Sequence, residues 1–305
     1  MAVESIESPG SEQVHNAVAA ALPERRFQTL RRFVRHRLAL AGAIYIVIVV
    51  LMSFPLASVV APLSPIRGNL REVGVPPSRD HLLGTDLNGR DLWSRIVYGG
   101  RISMSVGLVA VAIYLSIGTV LGCLAGYYGG KVDMIIMRLT DIVMSFPTLI
   151  ILISVVAIVG PGLQNTMLAI GLINWTSIAR LVRGQILAIR EMDFITAAES
   201  IGVAKRRIIV KHVGPNIVAP LVVAASFGVA GAILTEAGLS FQGLGVQAPT
   251  PSWGTMINEA KSIHIIQHMV WLWIPPGMMI TTCVLSINFI GDGLRDALDP
   301  RMLVR

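Results

Sequence analysis

The fold is decided by residues 142–179, IVMSFPTLIILISVVAIVGPGLQNTMLAIGLINWTSIA, a run of 38 residues without a charged side chain. A helix crosses the apolar core of a bilayer in about 20 residues, so this run is too long for a single span. Gly160-Pro161-Gly162 interrupts the run, and such Gly and Pro residues are typical of turns. The run therefore predicts two spans joined by a short connection.

Four more charge-free runs share this character, with His268 inside the last of them: 39–66, 102–130, 213–235 and 265–291. Charged residues make up 14% of the chain, against roughly 25% in soluble proteins. The sequence therefore predicts an all-α integral membrane protein. Its six transmembrane helices are expected at residues 39–61, 104–126, 137–159, 163–184, 215–236 and 270–291.

The basic residues predict the orientation of these spans. With the N-terminus in the cytoplasm, eighteen of the 25 Lys and Arg residues fall on the inner side and seven on the outer side. This bias favours two cytoplasmic termini. Residues 1–37 then form a cytoplasmic tail ahead of a membrane domain at 38–305, with an outer loop at 62–101 and a cytoplasmic loop at 188–214. The start of the chain lacks the apolar segment of a cleaved signal peptide. The topology accounts for the net charge of +7 without a nucleic-acid partner.

The second predicted span carries a helix-packing signal. Gly118, Gly122 and Gly126 recur every four residues, and Gly130 continues the series. Small residues at this spacing leave one helix face without side chains, so another helix can approach closely. We expect this face to pack either inside the bundle or against a partner subunit.

Charged residues occur only near the ends of the predicted spans. Arg138 and Asp141 are spaced to pair on one helix face at the cytoplasmic start of span three, and an ion pair is favoured over a pore or proton-relay role. Glu236 is expected at the membrane interface. The absence of a charge near the middle of any predicted span argues against a proton-coupled carrier.

The chain offers little for metal or redox chemistry. Cys123 and Cys283 lie in predicted spans, where packing is a better interpretation than a disulfide. His264 and His268 have the spacing of a metal pair but no matching third ligand, so we predict interfacial residues and no metal site.

Catalytic motifs are absent as well. The sequence contains no phosphate-binding G-x-x-x-x-G-K-[ST], no H-E-x-x-H and no G-x-S-x-G. The chain is therefore predicted to be a transport subunit and not an enzyme. Uphill transport would take its energy from another chain or from an ion gradient.

Between spans four and five lies a charged segment, EMDFITAAESIG at 191–202, followed by Lys205-Arg206-Arg207. A simple tether is usually short or low in complexity. Here small residues offer a face on which a close partner could dock, and Gly202 allows the chain to turn. This segment suggests a membrane protein that is driven from outside.

Four ordered blocks resemble one known family, the "C" type permease subunits of ATP-binding-cassette importers for dipeptides, oligopeptides and nickel. The resemblance covers about residues 25–303, and the blocks are HLLGTDLNGRDLWSR at 81–95, MR at 137–138 with SFP at 145–147, RLVRG at 180–184 running into the segment just described, and LSFQGLGVQ at 239–247 with PTPSWG at 249–254, DGLR at 292–295 and DPR at 299–301. Order and spacing make these blocks far more specific than the Ala-Ala-x-x-x-Gly pattern by itself.

The resemblance implies a type I importer fold and an ATPase-coupling segment at 193–207. The residues that it assigns to coupling are Asp193, Thr196, Ala197, Ala198, Gly202, Lys205 and Arg206. Thr196 stands where the family often has Glu, and Gly214 where Leu is common. The outer loop, with Thr85, Asp86, Arg90 and Asp91, is expected to contact the substrate-binding protein.

The resemblance also implies the partners: a homologous permease forming a heterodimer, two ATP-binding subunits that carry ATP and Mg, an extracytoplasmic binding protein, and the lipid of a bacterial inner membrane. No cofactor is expected in this chain. Peptides are the expected substrates, with nickel chelates, glutathione or other small solutes of the same family as alternatives. A secondary carrier or channel is the competing class, although the two halves show no inverted repeat. A membrane scaffold is a third class, but it would not require the patterned cytoplasmic segment.

Overall fold

The computed structural model describes residues 31–208 and 214–298, without the side chains of residues 196–199 and 205–206. Within these ranges the regular structure is helical, apart from one antiparallel β-bridge between Thr85 and Asp91. The main helices are α1 (Arg37–Ser53), α2 (Ala57–Val60), α3 (Leu92–Tyr128), α4 (Gly130–Met144), α5 (Thr148–Val159), α6 (Leu163–Arg190), α7 (Asp193–Ser200), α8 (Lys205–Ile208), α9 (Gly214–Phe241), α10 (Trp253–Glu259), α11 (Ile263–His268) and α12 (Ile274–Leu298). A 3₁₀ turn at Val270–Leu272 precedes α12.

Three described helices are long and apolar enough to cross a membrane: α3 with 37 residues, α9 with 28, and the stretch Val270–Leu298 with 29. The pair α4–α5 is a fourth candidate, although it is bent by 85°. At 17 residues α1 is apolar but short, and α6 is long enough at 28 residues but more polar. The all-helical membrane fold is confirmed, whereas six equivalent spans are not evident from length and composition.

The centre of the bundle is the pair α3 and α6. A Cβ atom added at Gly118 would lie 2.6 Å from Ile178 Cβ, and one at Gly126 would lie 2.9 Å from Ile186 Cβ. Because the contact positions advance together along both helices, α3 and α6 run parallel. The face without side chains therefore lies against a helix of the same chain. Gly130 begins α4 and has no neighbour within 4 Å.

The predicted span 137–159 differs most from the structure. A proline disfavours the α-helical conformation at the residue before it, and the helix breaks at Ser145–Pro147. Two contacts of α4, from Asp133 and Asp141, reach Arg183 and Arg180 of α6. The two aspartates lie eight residues apart on α4, whereas their arginine partners lie only three residues apart on α6. The axis of α4 therefore crosses that of α6 instead of running along it. Because α4 lies across α6, α5 is the helix that brings the chain back to the start of α6. Its 12 residues extend about 18 Å.

Two loop boundaries also differ from the prediction. The first span, expected to run from 39 to 61, ends as a regular helix at Ser53, and α2 follows after Pro55, because proline cannot continue the hydrogen-bond ladder. The outer loop, expected to run to residue 101, ends where α3 begins at Leu92. The Asp91 carboxylate accepts a hydrogen bond from the Ser94 amide at 2.8 Å and caps this helix.

A second apolar cluster joins α1, α9 and α12. Its fully buried members include Ile233 and Cys283, and Trp253 at the start of α10 closes its outer end. Cys123 is partly buried, and neither cysteine forms a disulfide. Cys283 thus contributes apolar volume to the packing.

Candidate functional site

The segment between α6 and α9 is held against the bundle by two isoleucines. Ile195 of α7 and Ile208 of α8 are 1% and 0% exposed and belong to the main apolar cluster, which includes Ile186 of α6. Gly202 has φ of +79°, a left-handed conformation that favours glycine, and it lies in the turn between the two short helices. The turn therefore requires a residue without a Cβ atom.

The outward side of this segment has exposed apolar residues at three described positions, one of them Phe194 at 44%. Met192 is 47% exposed and Ile201 is 80% exposed, and Asp193 in the first turn of α7 is also exposed. Exposed apolar residues beside a polar rim are typical of a protein-interaction surface. The geometry provides two short helices that are anchored on one side and uncovered on the other.

Most of the predicted coupling side chains lie outside the described residues, namely those of Thr196, Ala197, Ala198, Lys205 and Arg206. The backbone places the first three in α7 and the last two in α8. A flat docking face at Ala197 and Ala198 therefore stays a prediction. The C-terminal motif DPR at 299–301 also lies outside the described part of the chain.

At the opposite end of the bundle, four charged side chains form a network that is buried except at Glu259, which is 30% exposed. Asp86 accepts a hydrogen bond from Arg90 Nε at 2.7 Å and contacts Arg95. Glu259 of α10 accepts from Nη2 of Arg90 at 3.0 Å and from Nη2 of Arg95 at 2.9 Å. The network joins the outer loop, the start of α3 and α10, so it fixes their relative positions.

Burial changes the role predicted for Thr85, Asp86, Arg90 and Asp91. Their exposed fractions lie between 0% and 6%, so these side chains face the interior of the chain and not a partner. The exposed surface of the same loop carries both apolar and charged side chains, among them Leu70, which is 84% exposed, and the exposed Arg67 and Arg71. A contact with a binding protein through this loop stays a prediction. If the contact forms, the exposed residues of the loop would make it.

His81 connects two parts of the outer loop. Its Nδ1 atom lies 2.9 Å from Asp91 Oδ1, and its Nε2 atom lies 3.6 Å from Glu72 Oε2. The hydrogen bond to Asp91 is the main cause that raises the pKa of His81, and the Glu72 carboxylate adds to the effect. The imidazole is therefore protonated more readily in the folded chain than in the unfolded chain.

This shift predicts a stability that depends on pH. The contribution of His81 is fully present below its unfolded pKa of about 6.5 and is lost as the pH rises through the higher folded value. We expect thermal unfolding in detergent to show this decline above pH 6.5 for the wild-type chain. The His81→Gln variant should lack this component. Identical pH profiles for the two chains would contradict the assignment.

Glu236, near the end of α9, is fully buried within the chain. Its carboxylate accepts hydrogen bonds from the hydroxyls of Ser240 at 2.7 Å, Ser252 at 2.8 Å and Ser103 at 3.0 Å. Three hydroxyl donors satisfy this buried carboxylate without a cation. Ser252 also caps α10, so the cluster ties α10 to α3 and α9.

The predicted pair of Arg138 and Asp141 is the weaker of two contacts made by that aspartate. Arg138 lies 4.0 Å from Asp141, whereas Arg180 of α6 reaches it at 2.5 Å. A second pair, Arg183 with Asp133, has two contacts at 2.5 and 2.6 Å. These pairs hold α4 across the end of α6, which agrees with a structural role.

Several of these residues were not identified as a site from the sequence. Arg95 stands in the block at 81–95, but its partner Asp86 precedes it by nine residues, which is not a helical spacing and gives no signal of pairing. Glu259 is remote in sequence and carries no such signal. His264 and His268 stack with ring centroids 4.7 Å apart. Across residues 31–208 and 214–298, no group of three His, Cys, Asp or Glu side chains is arranged to hold a metal ion.

Comparison with known proteins places these features in context. Residues 118–304 match the family model described as "Binding-protein-dependent transport system inner membrane component". Residues 27–77 match that of the "N-terminal TM domain of oligopeptide transport permease C". The dipeptide transport system permease protein DppC of Alkalihalophilus pseudofirmus is 42% identical over 97% of this chain and 94% of its own length.

Two further comparisons agree. The glutathione transport system permease protein GsiD of Pectobacterium atrosepticum is 38% identical, over 94% of this chain and 97% of its own length. The solved inward-facing structure of the MetNI methionine ABC transporter matches with a TM-score of 0.54 and 21% identity, over 67% of this chain and 96% of the matched chain. At that identity the structural likeness concerns the fold.

Proposed function

The chain belongs to the family of binding-protein-dependent transport system inner membrane components, and from this premise we propose that it is the permease subunit of an ATP-driven peptide importer. The observation that carries the proposal is the likeness to a dipeptide permease over nearly the whole chain, at 42% identity. The segment α7–α8 supports it, because Ile195 and Ile208 anchor it to the bundle while its other side is exposed, as docking to an ATPase would require. The 38% identity to a glutathione permease favours that tripeptide as a second candidate substrate.

The importer would comprise this chain, a homologous permease, two ATPase subunits that carry ATP and Mg, and a soluble binding protein. In the bacterial cytoplasmic membrane, α1, α3, α6, α9 and α12 would cross the bilayer, and α5, whose 12 residues extend only about 18 Å, would cross together with the segments at its two ends, with both termini inside. The parallel run of α3 and α6 supports this topology, because the chain must return across the membrane between them. The transverse α4 would lie at the cytoplasmic surface.

The test of this function is transport by the purified complex. The tagged chain, purified in mild detergent from its native host, should bring along a second permease and ATPase chains. In liposomes, the complex with its binding protein should import labelled dipeptides only when ATP is supplied. Purification of the chain as a homo-oligomer with ATP-independent uptake would instead indicate a carrier or channel.

The coupling assignment makes a separate prediction about Gly202. We expect Gly202→Trp to lose at least about tenfold in transport and to co-purify with less ATPase, because the side chain would stand on the proposed docking side. Gly243→Trp is a matched control. The two glycines have φ of +79° and +81°, and neither has a neighbour within 4 Å of an added Cβ atom. Normal transport by Gly202→Trp, or equal losses in both variants, would contradict the assignment.

A further inference from the structure

A cavity of about 330 Å³ opens on the seam between α6 and α9, with α3 as its floor. Small-molecule sites commonly have volumes of about 300–1,000 Å³, so the space is sufficient for a solute. Its polar lining consists of Tyr114, Asn174, Ser177 and Thr235. A wider cavity of about 810 Å³ shares Ala224 with it and is lined by α6, α9 and the end of α12, where Arg295 lies. The two spaces meet at Ala224 and form a groove along α6 and α9.

The hydroxyl of Tyr114 is the most informative group in this cavity. The Tyr114 side chain is only 6% exposed, and its hydroxyl makes no hydrogen bond within the part of the chain that the structure describes. A Cβ atom added at Gly228 would fall 1.7 Å from this hydroxyl, so the glycine leaves it room. The hydroxyl lies at the cavity wall beside Gly228 and keeps some accessible surface there. It can therefore form a hydrogen bond with a group inside the cavity.

The other polar groups leave hydrogen-bonding capacity free for a ligand. Asn174 donates from Nδ2 to the Ile170 carbonyl at 2.8 Å, which leaves its amide oxygen and its second N–H available. The hydroxyl of Ser177 lies on an exposed surface of α6. Polar side chains inside a membrane are costly when they face lipid, so they normally face a partner or a water-filled space.

The lining of this cavity contains no charged side chain among its eleven residues. Neutral donors and acceptors match the peptide group, which offers one N–H and one carbonyl regardless of the side chains attached. Since no fixed charge lines this cavity, it would not itself discriminate between cationic and anionic peptides, and the nearest charge on the groove is Arg295 in the wider cavity. Such tolerance suits a path whose solutes are selected elsewhere.

We infer that this cavity is a solute site on the translocation path, where Tyr114, Asn174 and Ser177 bind peptide groups through neutral hydrogen bonds. The inference rests on the proposed function, because a peptide is the solute. The groove along α6 and α9 is this chain's half of the path. A second permease covers its open side.

The first test is a change in charge selectivity. In liposomes with the complete importer, Asn174→Asp should change the ratio of lysyl-alanine to glutamyl-alanine uptake about tenfold in favour of the cationic peptide, since a carboxylate then faces the solute. Asn165→Asp is the matched control, because Asn165 lies on the same helix, bonds to the Gly160 carbonyl and is outside the cavity. An unchanged ratio in Asn174→Asp, or an equal change in both variants, overturns the inference.

The second test separates binding from blockage. Tyr114→Phe should lower uptake of alanyl-alanine about three- to tenfold, as expected for one lost hydrogen bond, while ATP hydrolysis stimulated by the binding protein continues. Gly231→Trp should fill the cavity and abolish uptake, whereas Gly277→Trp should not. Neither glycine has a neighbour within 4 Å of an added Cβ atom. Wild-type uptake by both Tyr114→Phe and Gly231→Trp overturns the site.

The outcomes also separate the two proposals. If the wild-type complex imports none of the three dipeptides, the proposed peptide function fails and the peptide site fails with it. If the wild-type complex imports them and the cavity variants behave like their controls, only the site fails.

Discussion

Replacement of Gly122 by leucine is expected to prevent the chain from folding into a stable bundle. A Cβ atom at this position would lie 2.6 Å from the carbonyl oxygen of Ala179 and 2.8 Å from Val182 Cβ. The first contact is with helix backbone, which cannot rotate away as a flexible side chain can. Overpacking usually costs about 1–3 kcal/mol, and a four-carbon side chain between two close helices should exceed that range.

The measurement is the yield of monodisperse protein in mild detergent, with its thermal unfolding temperature. Gly184→Leu is the matched control, because Gly184 lies on α6 itself and has nothing within 4 Å of an added Cβ atom. The control should keep nearly the wild-type yield. If both variants were equally stable, α3 and α6 would not be packed as closely as described.

Replacement of Arg95 by methionine should produce the second large loss of stability. Arg95 is 1% exposed, and it contacts both Asp86 and Glu259. Its removal leaves Arg90 as the cation shared by these carboxylates. Breaking a buried ion pair typically costs about 3–5 kcal/mol, because a charge stays buried without compensation. The variant should unfold at a clearly lower temperature and expose the outer loop to protease.

Arg101→Met provides the comparison on the same helix. Arg101 is exposed and lies 5.6 Å from the ring centroid of Phe54, a contact worth roughly 1 kcal/mol or less at an exposed site. Protease sensitivity in the outer loop should therefore increase for Arg95→Met and stay near the wild-type level for Arg101→Met. Equal behaviour of the two variants would mean that the buried network does not hold the outer loop in place.

The sequence alone was sufficient for the class and the family. Long runs without charge predict membrane helices because the cost of placing a charge in lipid exceeds the other local preferences. The four ordered blocks were enough to recognise the C-type permeases, and this recognition is confirmed by the family match and the relatives. The glycine series on α3 was visible because its spacing is local.

Predictions that depended on partners distant in sequence fared less well. Arg90 and Asp86 were expected on a binding surface, yet they pair with each other inside the chain, and Arg90 also pairs with Glu259, which is 169 residues away. Nothing in the sequence indicated the three serines that enclose Glu236. Neither burial can be read from local periodicity, because the groups that bury each side chain come from remote segments.

The sequence by itself determined that this chain is a helical permease and where its apolar helices lie, and it predicts a segment at 193–207 on which a partner would act. These properties depend on composition and on patterns among residues that are close in sequence. Only the tertiary structure decided that α4 lies across α6, that Asp86 and Arg90 of the outer loop are buried inside the chain, and that Tyr114 lines a cavity. Each of these depends on which helices meet, because burial and hydrogen-bond pairing are properties of contacts between segments and not of any one segment.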